Sequence, residues 1–142
     1  MRGFLLDTNS LSELSRTHPH PHVADWSRPI DEKLLYVSVL TLGEIRKGTT
    51  LLPGGSKRSQ LERWLEVELP TQYSERLLPV NLEIAEIWGT MAGEARRKGI
   101  ALPIIDGLIA ATAKHYDLAV VSRNVRDFRM WDIAVINPWE PL

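Results

Sequence analysis

An α/β fold with a central, mostly parallel sheet is the architecture this sequence predicts, and three observations carry the prediction. Short apolar runs at residues 4–6, 34–40, 118–121 and 133–136 have the length and composition of strands buried on both faces. The segments between them place apolar residues at helical spacing. The two patterns alternate along the chain, which puts helices between strands and implies parallel pairing with right-handed crossovers.

The elements follow in order. The strand at 4–6 leads into Asp7-Thr8-Asn9-Ser10, a run of helix N-cap residues, with Leu11 and Leu14 at helical spacing behind it. His18-Pro19-His20-Pro21-His22 predicts a loop, because alternating prolines forbid a helix there, and a short helix is expected over 23–27. The strand over 34–40 should feed a helix from about residue 42 to 48, closed by a turn at 52–56. Leu61, Trp64, Leu65 and Leu69 mark an amphipathic helix with Ser59-x-x-Glu62 as its capping box. Residues 77–80 read as a short strand that Pro79 confines to an edge. Asn81 can cap a long helix carrying Ile84, Ile87, Trp88, Met91 and Ala95 on one face, and Arg96-Arg97-Lys98-Gly99 closes it with cations and a glycine. Pro103 opens a helix that runs to about Tyr116. No repeat or linker interrupts this series, so residues 1–142 read as one domain.

Composition narrows the function. A chain of 142 residues with 44% hydrophobic and 25% charged residues can bury a core and is neither disordered nor fibrous. Cysteine is absent, which excludes disulfides, thiolate metal sites and a cysteine nucleophile. Seventeen Lys and Arg against 18 Asp and Glu give a net charge of −1, so any nucleic-acid contact must come from a local basic patch or a metal. No apolar run is long enough to span a membrane, and the N-terminus is too soon interrupted by charge to be a signal peptide. A cytoplasmic protein is expected.

In an open parallel sheet, ligands gather beyond the carboxyl ends of the strands. Asp7 follows the first strand directly, and Asn124 and Asp127 follow the strand ending near Val121. Glu44 and Asp106 are expected in the first turns of helices that face the same rim. Four acids on one patch call for a counter-charge, and oxygen-only donors select Mg²⁺ or Mn²⁺ over Zn²⁺. Each acid also has a plainer role. Asp7 can be an N-cap, Thr41-x-x-Glu44 a capping box, Asp106 an acid favoured by its helix dipole and Asp127 a turn residue. His18, His20 and His22 lack a further ligand and read as loop residues, and His115 as a helix-end residue. Trp64 and Trp88 lie on apolar helix faces, as core or as an aromatic groove for a partner helix. An aspartyl-phosphatase pattern would need a second acid where Asn9 stands, and no glycine-rich nucleotide motif is present.

Four segments together resemble the PIN-domain family. They are Phe4-Leu5-Leu6-Asp7-Thr8-Asn9 with Glu13-Leu14, Ser38-Val39-Leu40-Thr41-Leu42-Gly43-Glu44-Ile45, the run from Leu102-Pro103-Ile104-Ile105-Asp106-Gly107 to Ala113, and Val121-Ser122-Arg123-Asn124-Val125-Arg126-Asp127-Phe128. The ending Val135-Ile136-Asn137-Pro138-Trp139 is similar to the VapC/FitB branch. The resemblance implies a three-layer α/β/α sandwich and a homodimer. It implies a Mg²⁺-dependent endoribonuclease, with Mn²⁺ able to substitute, acting as the toxin of a type II toxin–antitoxin pair with a VapB/FitA-like antitoxin and an RNA substrate. It carries over Asp7, Glu44 and Asp106 as catalytic, metal-holding acids, with Asp127 expected as the fourth. Asn124 can offer a neutral carbonyl or hold a water there, but not a negative charge. Thr8 and Asn9 belong to the opening motif as supporting residues, and Ser122 is expected to position a water or a phosphate. Arg123 and Arg126 flank the acids and are expected to meet RNA phosphates, with Arg46 and Lys47 as lesser candidates. The other reading is a degenerate PIN domain that binds RNA or a protein without cutting, for which Asn124 speaks.

Overall fold

The computed structural model describes residues 1–142. Five strands, all parallel, form one sheet in the order β3-β2-β1-β4-β5. They are β1 (Gly3–Leu6), β2 (Leu35–Ser38), β3 (Leu77–Leu78), β4 (Leu118–Val121) and β5 (Val135–Ile136). The helices are α1 (Thr8–Leu14), α2 (Pro21–Ser27), α3 (Val39–Thr50), α4 (Ser56–Arg63), α5 (Leu69–Tyr73), α6 (Leu82–Arg97), α7 (Ile104–Tyr116) and α8 (Val125–Phe128). No helix is long and apolar enough to cross a membrane.

Side-chain alternation along the strands builds the layers. Leu5 and Val120 enter one core with Ile84, Met91, Ile109, Phe128 and Trp131, under α6, α7 and α8. Their neighbours Leu6 and Val121 enter the other with Leu11, Trp26, Ile45, Leu65 and Leu69, under α1 to α5. The result is the α/β/α sandwich that the PIN-domain resemblance implies, built on the parallel sheet that the apolar runs anticipate. Trp64 and Trp88 are half-buried, each packed against one of these cores.

Several local expectations are corrected. The strand expected over 34–40 stops at Ser38, because the Ser38 hydroxyl accepts the amide of Leu40 and starts α3 at Val39. Ser59 is no cap. Its amide donates to the carbonyl of Gly55, which places it inside α4, and Glu62 pairs with Arg58 instead. Between α4 and α5 the helix widens to a π turn over Trp64–Glu68, where the Leu69 amide reaches back to Trp64. Pro70 follows at once; it has no N–H to continue the ladder, so the wide turn sits where the regular pattern must break. The helix expected over 23–27 begins earlier, at Pro21, whose fixed φ suits a first helical turn. Asn81 caps α6 as expected, accepting the amide of Ile84.

Two expectations can be measured. A Cβ on Gly3 would lie 2.6 Å from the backbone oxygen of Leu34 and 2.9 Å from the Tyr36 ring, so Gly3→Ala must push β1 away from β2. Chemical denaturation should show a loss of about 1–3 kcal/mol. Burial pushes the Tyr73 hydroxyl up to about 12, with Arg76 opposing and Glu32 adding to the shift. An unfolded tyrosine ionises near pH ~10. Between those values the unfolded chain sheds a proton that the folded chain keeps, so stability should fall as pH rises through this window. Tyr73→Phe should flatten that region of the profile.

Candidate active site

From β1 the chain builds outward to β2 and β3, then returns to the other side of β1 for β4 and β5. The carboxyl ends of β1 and β4 therefore flank the point where the strand order reverses, the usual crevice of such sheets. Asp7 stands there. Its amide donates to the Val121 carbonyl at 3.1 Å, and the Ser10 hydroxyl donates to the same carbonyl at 2.9 Å. Asp7 also caps α1, its Oδ1 accepting the Ser10 amide at 2.8 Å. Capping occupies one carboxylate oxygen and leaves the other, so the two roles coexist.

Thr8 donates its hydroxyl to Oε1 of Glu44 at 2.6 Å, which ties the start of α1 to α3. Glu44 lies in the second turn of α3 and not the first, because α3 starts at Val39. For the same reason Thr41-x-x-Glu44 is not a capping box; Ser38 is the cap, and the enclosed Thr41 hydroxyl has no partner. Asp106 is the third residue of α7, in its first turn as expected. The next residue, Gly107, is buried beneath Trp88, where a Cβ would lie 3.0 Å from the indole.

The four acids meet electrostatically at Asp106. Its carboxyl is held above the ordinary aspartate range, first by burial and then by the negative charges of Asp127, Glu44 and Asp7. Acids from α1's cap, α3 and α8 thus act on one group in α7. No three His, Asp or Glu side chains are already closed into a metal-binding group. The donor chemistry nevertheless fits a hard cation: all four groups are carboxylates, and a positive charge among them would relieve the repulsion at Asp106.

The remaining expected residues fall around this patch. Ser122 is fully buried, its hydroxyl accepting the Asn124 amide at 2.9 Å, so its oxygen shapes the turn leaving β4. Asn124 and Asn9 are exposed. Arg123, Asn124, Arg126 and Asp127 line an open cleft of about 450 Å³ beside the acids. Arg129 and Asn137 line it too and escaped the sequence reading. The spacing of Arg126 and Arg129 was a usable signal, but only once α8 is recognised as a helix. Arg46 is tied to Glu62 and Glu66 on the neighbouring helix, away from this role. Two histidines of the proline loop, His20 and His22, make structural contacts. His20 Nδ1 accepts the amide of His22, and His22 Nδ1 meets the Trp139 carbonyl at 2.8 Å.

The sequence profile described as PIN domain matches residues 4–132. The chain belongs to the PIN-domain family. Among its relatives are toxin FitB of Neisseria gonorrhoeae, 36% identical over 135 residues with 95% of this chain and 97% of that one covered, and VapC ribonuclease Y4jK of Sinorhizobium fredii, 33% identical over 137 residues with 96% and 98% covered. The crystal structure of FitAcB from Neisseria gonorrhoeae superposes with a TM-score of 0.87 at 36% identity, covering 96% of this chain and 99% of that one.

Because burial and three like charges disfavour the Asp106 anion in this PIN domain, removing its charge should stabilise the metal-free fold. Asp106→Asn should melt above wild type in EDTA. Added Mn²⁺ should raise the melting temperature of wild type and leave the variant nearly unmoved.

Proposed function

We propose that this PIN domain is a metal-dependent endoribonuclease and the toxin of a toxin–antitoxin pair. The observation that carries the reading is the convergence of Asp7, Glu44 and Asp127 on Asp106 at the reversal point of the sheet. The relatives named as a toxin and as a VapC ribonuclease support the substrate and the role. Asp7, Asp106, Glu44 and Asp127 would hold Mg²⁺ or Mn²⁺, which when bound supplies a more acidic water and stabilises charge on phosphoryl oxygens.

The chain's own groups prepare the rest. Asp7 is held at its backbone by Val121 and presents its second oxygen to the patch. Glu44 keeps Oε2 for a water while Thr8 fixes Oε1, so its carboxylate can orient that water or take its proton. Asp127 is exposed beside Asp106 and supplies the fourth carboxylate that Asn124 cannot. Arg123 and Arg126 meet the phosphates flanking the cleaved bond. An in-line attack by water at phosphorus then breaks the bond to the leaving ribose oxygen. A homodimer, and an antitoxin that covers the carboxylates with an arginine, complete the proposal; the bidentate match of guanidinium to carboxylate suits that contact.

Cleavage of a mixed structured RNA pool tests it, with Mg²⁺, Mn²⁺ or EDTA and with Asp106→Asn prepared identically. Discrete cuts should need metal and disappear in the variant, with the loss at least a hundredfold, the scale of removing one transition-state charge contact. Equal cutting by the two proteins would refute the site. No cutting together with no Mn²⁺ binding by calorimetry would favour a binding module without catalysis.

A further inference from the structure

Twelve arginines are present in the chain. Arg16, Arg28, Arg46, Arg58 and Arg63 are ion-paired, and Arg76 is spent on the backbone carbonyls of Glu32, Leu35 and Gln72. Of the remaining six, none of which has an acidic partner, three line one cleft beside Asp127: Arg123, Arg126 and Arg129. In a chain of net charge −1 this is a local concentration of free cations. The cleft is polar, with Val125 its one apolar lining residue, and its volume of about 450 Å³ is that of an ordinary ligand site.

The far wall of the cleft is built by the C-terminal turn. Asn137 Oδ1 accepts the Trp139 amide at 3.0 Å, which leaves the Asn137 amino group free to donate. The Trp139 carbonyl can only accept, so the proton lies on His22 Nδ1, and this bond pins the turn to the start of α2. The Arg123 guanidinium lies 5.2 Å from the centre of the Trp139 ring, a cation–π distance. Stacking there restricts a side chain that would otherwise sweep freely, and it leaves the edge of the guanidinium, where the N–H donors lie, open to a planar or tetrahedral anion.

Resting on the ribonuclease reading, we propose that this cleft is a phosphate subsite for the RNA strand next to the cleaved bond, gripped by Arg123, Arg126 and Arg129, with Trp139 as a positioning residue for Arg123. Asp127 borders both the cleft and Asp106, so a strand leaving the acids runs directly into the arginines. Three guanidinium forks match backbone phosphates in charge and geometry, and the amides of Asn124 and Asn137 can meet base edges without demanding one sequence. Glu140 is the one other acid on the wall and weakens the grip.

The test is fluorescence anisotropy with a labelled, mixed-sequence, single-stranded oligoribonucleotide, read across a KCl series in the Asp106→Asn background without divalent ion. Arg126→Gln and Arg129→Gln should each weaken binding and lower the log–log salt slope by about 0.7, the value for one lost phosphate contact on a single strand. Trp139→Leu should lower the slope as Arg123→Gln does, the double variant should add nothing further, and Trp139→Phe should restore it. A merely structural role for Trp139 would alter melting without this non-additivity. Glu140→Gln should tighten binding, and Arg96→Gln, on α6, should change nothing. Salt slopes unmoved by the arginine variants would overturn the subsite, and with it the phosphate contacts assigned to Arg123 and Arg126, while leaving metal-dependent cleavage at the acids intact. A parent protein that binds no RNA would overturn both.

Discussion

The site depends on the seating of β1 between β2 and β4. Leu5 and Leu6 are fully buried on opposite faces of the sheet, each contributing about 1.5–3 kcal/mol by burial. The two hydrogen bonds converging on the Val121 carbonyl add about 1 kcal/mol each. Burial therefore fixes the strand and its register, since a one-residue slip would exchange the two cores. The hydrogen bonds then decide where the chain goes on leaving the sheet. They turn Asp7 over the end of β4 and start α1 with Thr8 facing Glu44. Loosening β1 would disperse acids that come from four separate stretches of chain.

Charge is arranged in two neighbouring zones with opposite purposes. Around Asp106, negative charge accumulates beyond what the fold favours. A few residues further on, three arginines without acidic partners face the same opening. In the proposed function the first zone would hold a hard cation and the second a polyanion, and a phosphodiester strand with its metal would supply both. Elsewhere several arginines are neutralised by neighbouring acids, as where Arg46 and Arg58 share the acids of α4 and the turn that follows. Near-zero net charge is thus compatible with a nucleic-acid site because the imbalance is local.

The legibility of these features followed the range of the forces behind them. Strands and long helices were readable because burial imposes a period on the residues, as in α6 with Ile84, Met91 and Ala95 on its inner face. Boundaries were less so. Leu34 to Leu40 reads as one apolar run, yet a single bond from the Leu40 amide to Ser38 ends the strand and moves Glu44 from the first helical turn to the second. Ser59 and Glu62 have the spacing of a capping box, but a helix already under way from Ser56 overrides it. Helix α8, one turn long, carries too few residues to show a period, and no local pattern marks Arg129, just beyond it, or Asn137, in the C-terminal turn, as lining one cleft.

The sequence by itself determined the α/β layering, the central place of the apolar runs and which acids follow strand ends or open helices near them, because burial and strand-end placement are written in local pattern and in the motifs of the PIN family. Only the tertiary structure decided which oxygens are spent and which are free, that Thr8 holds Glu44, that Asp127 bears on Asp106 more than the other acids do, and that the C-terminal turn folds back to place Trp139 beneath Arg123. These are contacts between residues far apart in the chain. Their distances depend on how strands pair and helices pack, and no local pattern encodes that.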